Sequence, residues 1–420
     1  MRRWEQHLKS IFIRYPTIKE ESLGGEVEMK KFFVMATAAV LSLSLLAGCG
    51  TTGATSNGGG SSAGGNLKIG ADLELTGGVA MFGTAAQKAI DLAVEQQNAN
   101  GGLLGKQIKM DYADNKSDPG ESTNAATKLI TQDSVVAVIG AMTSGNTLAA
   151  SQVAIDNKVP LISPTGTADK VTVENGQVKP YIFRACFIDP FQGQVAAQFA
   201  ANTLKVQKAA IFIDQKSDYS IGLANAFSTN FKSANGQIVS QEKYVAGDKD
   251  FRPQLARIKS SNPDVVFVPG YYGEVGPIVK QAREMGMNQA FIGGDGWGSP
   301  ELFNLASADQ LNNCYYVNHV AIDDPSMADF VKAFKAKYNQ DPDSFAALGY
   351  DAARLMFQAI KDANSTNGDK IRTALENLKG FKGLNGDITM DPKTHNPIKD
   401  AVIIKIENGK NVFMTKVSPK

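Results

Sequence analysis

Histidine and cysteine are nearly missing from this chain, with three of each in 420 residues. His7, His319 and His395 are scattered, so neither a zinc site nor a histidine-centred catalytic group is visible. Cys186 and Cys314 stand far apart without metal-ligand spacing and read as two free, partly buried thiols, although sequence does not say whether they meet. Net charge is equally scarce: 43 Lys and Arg face 42 Asp and Glu, with no block of one sign, which argues against a nucleic-acid partner. No phosphate loop or GxGxxG is present, and Gly294-Asp295-Gly296-Trp297-Gly298 has the wrong spacing for a dinucleotide fingerprint. The one GxSxG, Gly60-Ser61-Ser62-Ala63-Gly64, lies in a flexible stretch, whereas a nucleophile elbow needs a strand-to-helix turn. These absences set hydrolase and nucleotide chemistry aside, and no cofactor, metal or catalytic residue is expected.

What the sequence does contain begins with an address. Met29-Lys30-Lys31, an apolar run over Phe32–Leu46 and then Ala47-Gly48-Cys49 make a bacterial export signal. The run is shorter than the roughly 20 apolar residues a spanning helix needs. Cys49 directly after Leu46-Ala47-Gly48 resembles the lipobox of bacterial lipoproteins, which implies signal peptide 29–48 and a lipid-carrying mature N-terminus at Cys49. An ordinary signal peptide with Cys49 there by chance is the alternative. Residues 49–65, rich in Gly, Ser and Thr, form a flexible tether. Residues 1–28 precede the signal and read as a mis-assigned leader, with a long basic n-region carrying Arg2 and Arg3 as the alternative.

Residues 66–420 exceed one average domain and suggest two. From Leu67 onward, short β-rich runs alternate with longer helical patterns, the signature of parallel sheets covered by helices. Strands are expected at Leu67–Leu75, Gln107–Asp114, Val135–Ile139, Pro160–Ser163, Ala209–Asp214, Gln237–Tyr244, Val265–Pro269 and Ala290–Gly293. Helices are expected over Gly83–Asn98, with Ala85, Ala89, Leu92 and Ala93 facing inward, and over Thr147–Asn157, Ile221–Ala234 and Phe345–Lys361. In such sheets ligands bind beyond the carboxyl ends of the strands.

The loops at those ends carry the candidate chemistry. Met142-Thr143-Ser144-Gly145 precedes a helix whose free N–H groups favour an anion, though a plain N-cap explains it equally. Ser163-Pro164-Thr165-Gly166-Thr167 offers hydroxyls and carbonyls to an ammonium, or is simply a turn. Asp295, in a glycine-rich loop after a strand, can face a cation shielded from water, or cap an Asx turn. Phe82, Tyr219, Tyr271 and Phe345 all follow strands or open helices, as the apolar walls of a small-molecule cleft would.

These residues resemble the leucine/isoleucine/valine-binding protein family, receptors of branched-chain amino acid ABC importers. The likeness spans residues 67–420 and runs in order through Thr76…Phe82-Gly83, Asn100-Gly101-Gly102, Asp114…Asp118-Pro119, Ile162-Ser163-Pro164, Asp214…Tyr219, Gly270-Tyr271, Gly294-Asp295-Gly296 and Asp341-Pro342. It implies an α/β clamshell of two doubly wound parallel-sheet lobes joined by three crossover strands. Lobe 1 would comprise 66–187 plus 319–394, and lobe 2 188–318 plus 395–420. Ser144, Thr167 and Tyr219 would hold the ligand carboxylate, and Thr165, Thr167 and Asp295 its ammonium. Phe82, Met142, Tyr271 and Phe345 would enclose an aliphatic side chain. Ser117 and Thr143 stand where some members carry a disulfide, which puts the rigidity of the carboxylate loop in question.

The function so implied is that of an exported, lipid-anchored, monomeric binding protein that delivers a branched-chain amino acid to ABC permease and ATPase subunits. Related receptors take other small amino acids, amides or urea, and some serve a sensor, so these remain the alternatives. An enzyme ranks last, because no base is arranged beside Ser144.

Overall fold

The computed structural model describes residues 65–419. The leader, export signal, Cys49 and the tether up to residue 64 lie outside the described residues. Among those described, no helix is long and apolar enough to cross a membrane.

Two sheets organise the chain. The first is wholly parallel and orders β1 (Leu67–Leu73), β2 (Ile108–Asp114), β3 (Val138–Gly140), β4 (Leu161–Ser163) and β5 (Ile182–Arg184) as β2-β1-β3-β4-β5. The second has seven strands: β6 (Lys208–Asp214), β7 (Gln237–Tyr244), β8 (Val265–Val268), β9 (Ala290–Gly293), β10 (Cys314–Asn318), β11 (Ala401–Glu407) and β12 (Lys410–Val417). They run in the order β12-β11-β10-β9-β8-β6-β7. Its last two strands are antiparallel, so this sheet is mixed rather than purely parallel. A hairpin of two residues, Asn408-Gly409, joins them, both at positive φ, which is what reverses a chain tightly.

The chain leaves the first sheet after β5, returns after β10 to lay helices Ala328–Tyr338 and Ser344–Ala363 on α1 (Ala80–Ala99), and crosses again before β11. α1 and Ser344–Ala363 approach closely because Gly349 has no side chain; a Cβ there would lie 2.8 Å from the Ala86 Cα. That approach brings Phe82 and Phe345 into a stack with centroids 3.8 Å apart. The inner face of α1 carries Phe82, Ala86, Ala89, Ile90, Leu92 and Ala93, whereas Ala85 is only partly buried.

Helix starts differ most from expectation. The helix expected from Thr147 begins at Ser144, α2 (Pro119–Thr127) being followed by α3 (Ser144–Asp156), and the one expected from Ile221 begins at Asp218. Gly145, Asn146 and Ser220 are weak helix formers, so the first turns carry no apolar period to read. Cys186 and Cys314 are free and fully buried, not partly so, and burial pushes both thiols up to about 12.

Candidate functional site

Every side chain singled out from the sequence for ligand contact lines one cavity between the two sheets. Phe82, Met142, Ser144, Thr165, Thr167, Tyr219, Tyr271, Asp295 and Phe345 surround it, joined by Gly296. The cavity is tight, about 10 Å³, room for roughly one water-sized molecule. A groove of about 980 Å³ beside Arg354 and Phe381 is far larger, but exposed Lys370, Lys379 and Lys382 line it and none of these residues does.

One wall comes from the loops after β3 and β4, which are stitched together. Thr165 Oγ1 donates to the Met142 carbonyl at 2.5 Å, and Ser144 Oγ accepts from the Ala168 N–H at 3.1 Å. Arg184 on β5 is fully buried and donates to the carbonyls of Gly166 (2.7 Å) and Ala168 (2.9 Å), the residues flanking Thr167. The loop ahead of Ser144 is fixed by Glu74. Its carboxylate accepts from Met142 N (2.9 Å), Thr143 N (3.0 Å), Thr143 Oγ1 (2.9 Å) and Asn146 Nδ2 (2.8 Å). Thr143 and Ser117 act through hydrogen bonds, with Ser117 Oγ donating to the Thr76 carbonyl at 2.8 Å.

Behind this loop Asp72 accepts from Asn115 Nδ2 at 3.0 Å and faces Ser122 Oγ, which also lies 2.9 Å from the Asn146 carbonyl. A hydroxyl has one proton and cannot donate to both. Burial pushes the Asp72 carboxyl up to about 8, so at neutral pH the acid keeps its proton, donates to Ser122, and leaves Ser122 free to donate to Asn146. Below about pH 4 the unfolded chain is protonated here too. Between about 4 and 8 the folded state binds more protons than the unfolded one, so this group lowers stability progressively as pH rises, levelling off above 8. Asp72→Asn reproduces the neutral acid's donor and acceptor without titrating. Urea titrations across pH 4–9 are expected to show a flatter decline in the variant than in the wild type; parallel curves would refute the assignment.

The opposite wall comes from the second sheet. Asp295 follows β9 and is 4 % exposed. Its Oδ1 accepts from Gln192 Nε2 at 2.7 Å and its Oδ2 lies 3.1 Å from His319 Nε2. Burial lowers the His319 pKa, against the pull of Asp295, so the imidazole is neutral and donates through Nε2. His319 is also packed on Phe187, with ring centroids 3.7 Å apart. Tyr219, in the first turn of α5 (Asp218–Ser233), accepts from Gly296 N at 3.3 Å and stacks on Tyr271 with centroids 5.1 Å apart. Gly294 is required for this convergence, because a Cβ there would lie 2.5 Å from both Gln192 Oε1 and Tyr219 Oη.

The aromatics continue across the cleft, Phe82 meeting Tyr271 edge-on at 5.6 Å. Tyr272 Oη accepts from Met81 N at 3.3 Å, and Lys170 pairs with Asp218 at 2.5 Å, further ties between the elements around the two sheets.

Sequence reading found the lining but missed its supports. Glu74, Arg184, Gln192 and His319 were not singled out, nor was Asp189, fully buried at the start of α4 (Asp189–Gln198). His319 had looked isolated because its partner is 24 residues away on another loop. Asp189 preceding Pro190 reads as an ordinary helix start. Among the described residues, no group of three or more His, Cys, Asp or Glu side chains is placed to hold a metal ion.

The arrangement is a sealed chamber with polar groups at both sides, apolar walls and no nucleophile next to a base. Comparison with known proteins agrees. The Leu/Ile/Val-binding protein homolog 1 of Brucella abortus is 31% identical over 341 residues, covering 81% of this chain and 90% of that protein. The crystal structure of the branched-chain amino acid transporter substrate-binding protein LivJ of Streptococcus pneumoniae in complex with isoleucine is 39% identical, with TM-score 0.79, covering 84% of this chain and all of that one. A solute-binding protein of an ABC transporter of Rhodopseudomonas palustris, in complex with 3,4-dihydroxybenzoic acid, is 26% identical with TM-score 0.76, covering 84% and 97%. With residues 66–411 matching the family described as periplasmic binding protein, the chain belongs to that family, whose members bind substrates for transporters and are not enzymes.

Proposed function

We propose that this protein is an extracytoplasmic, lipid-anchored receptor that binds a branched-chain amino acid between two lobes and hands it to an ABC permease and its ATPase. The observation that carries this reading is the single cavity with Ser144 and Thr167 on one side, Asp295 on the other, and Phe82, Met142, Tyr271 and Phe345 around them. Hydroxyls and helix-terminal N–H groups suit a carboxylate, a buried acid suits an ammonium, and uncharged walls suit an aliphatic side chain. One methylene changes such binding by about 1–3 kcal/mol, so leucine, isoleucine and valine should all be taken.

The cavity is too tight for an amino acid to enter as it stands, so the lobes, about 66–187 plus 319–394 and 188–318 plus 395–420, must part to admit one. Closure then follows from the ligand's higher affinity for the closed form. Lipid on Cys49 would hold the monomeric receptor at the outer face of the membrane.

A second reading, an aromatic carboxylate, draws on the aromatic walls and on the relative with 3,4-dihydroxybenzoic acid. It leaves Asp295 without a counter-charge.

A thermal-shift screen of residues 66–420 against the common amino acids, small amides and benzoates decides. Ligand at a hundred times its Kd stabilises by about 2.7 kcal/mol. Shifts with leucine, isoleucine and valine are expected, and a response confined to benzoates or amides would replace the proposed substrate.

A further inference from the structure

We propose that a crevice beside the ligand chamber, between Gly298 and Ser344, is a second small-molecule site, and that it takes an organic cation: an ammonium carried on an apolar body. This site does not depend on what the chamber itself binds.

The crevice holds about 630 Å³, within the size range of small-molecule clefts. Gly298, Tyr316 and Asn318 line one side of it, the last two from β10, and the residues after β10 together with Asp343 and Ser344 line the other. Gly298, Asn318 and Ser344 adjoin Trp297, His319 and Phe345 in the chain, so the crevice shares loops with the chamber but none of its lining residues. An occupant would touch both of the proposed lobes. Gly298 opens the inner end. Its φ of −69° is ordinary, so the glycine serves space rather than backbone freedom. A Cβ there would lie 2.6 Å from Ser344 Oγ and 3.5 Å from Asn318 Nδ2. Ser344 is 3 % exposed, and its hydroxyl has no hydrogen-bond partner among the described residues. Leaving such a group unsatisfied costs about 1–3 kcal/mol, a penalty that an ammonium donating to Ser344 Oγ would remove.

The charged side chains that line the crevice are all acids, Asp323, Asp341 and Asp343. Asp341 is paired with Lys335 at 2.8 Å. Asp343 caps helix Ser344–Ala363 by accepting from Ala346 N at 2.9 Å. Lys88 is the cation near enough to act on Asp343, but its ammonium donates to Gln340 Oε1 at 2.9 Å instead. Burial pushes the Asp343 carboxyl up to about 6, so it is ionised above pH 7. Neither Asp343 nor the exposed Asp323 has an ion-pair partner among the described residues. Pro300, Val320, Ile322 and Ile404 make the remaining walls apolar. Uncompensated negative charge above apolar walls selects a cation with an apolar body and turns carboxylates away.

Calorimetry above pH 7 with phenethylamine, and with 3-phenylpropanoate as its anionic counterpart, tests this on wild type, Asp295→Ala, Asp343→Asn and Asp323→Asn. Wild type is expected to bind the amine and not the carboxylate. Asp295→Ala, which disables the chamber's own acid, should keep that binding, whereas each asparagine variant should lose about fivefold in affinity. Asparagine caps helices as well as aspartate does, so Asp343→Asn removes the charge and keeps the cap. Should it still fail to fold, as read by thermal denaturation, Asp323→Asn at its exposed position carries the same comparison. No binding of the amine to wild type, equal binding of the carboxylate, or affinity unchanged in the asparagine variants would overturn the site. Binding abolished by Asp295→Ala would overturn it too, by placing the amine in the chamber.

Discussion

Asp295→Ala is expected to weaken leucine binding by about 3–5 kcal/mol, a loss of about two to three and a half decades in affinity. The size follows from what is left behind. With the carboxylate gone, an ammonium held in the closed cleft loses its nearest acceptor, and Gln192 Nε2 and His319 Nε2 lose theirs as well. All three would then be buried donors without a partner, the costly case for polar groups inside a protein. Isothermal calorimetry reads the affinity and a urea titration without ligand reads the fold. A variant that folds normally and binds leucine as wild type does would remove Asp295 from the site.

Glu74→Ala is expected to cost about 3–5 kcal/mol of folding stability, since four donors from Met142, Thr143 and Asn146 would face an apolar methyl group in a sealed interior. Glu74 is fully buried and touches no surface, so water has no route to replace it. Because the same loop presents Ser144, leucine binding should fall along with stability. Glu74→Gln keeps one acceptor oxygen and sets an NH2 group against the remaining donors, which places it between wild type and alanine. Denaturant midpoints ordered wild type, Gln, Ala would bear this out, and a loss below about 1 kcal/mol for alanine would mean the loop is held by other means.

The two acids also mark what the sequence could and could not disclose. Asp295 was legible because it sits in a run of glycines at the end of an apolar strand, where a charge has no packing role. The hydroxyl loops after β3 and β4 were legible for the same positional reason. Glu74 lies just past β1, where a single acid reads as the polar end of a strand; only the tertiary fold shows that a loop about 70 residues later closes around it. His319 and Gln192 were hidden likewise, each meaningful only beside a carboxylate distant in sequence. Strand positions were largely readable from β-branched runs, with Gln237–Tyr244 and Ala290–Gly293 falling where expected. Helix starts were not, because glycine, asparagine and serine in the first turns of α3 and α5 erase the apolar period that would announce them. The antiparallel pairing of β10 with β11 depends on which sheet the returning chain joins, which no local pattern encodes.

The smallness of the chamber between Ser144 and Asp295 has a kinetic corollary. On the proposed function, an amino acid held there would lie behind the stacked Tyr219 and Tyr271 and the Phe82 and Phe345 pair, so its release would wait on the lobes parting. A transporter that draws on such a receptor would gain most by prying at the hinge, and loading and unloading would then share one mechanical clock.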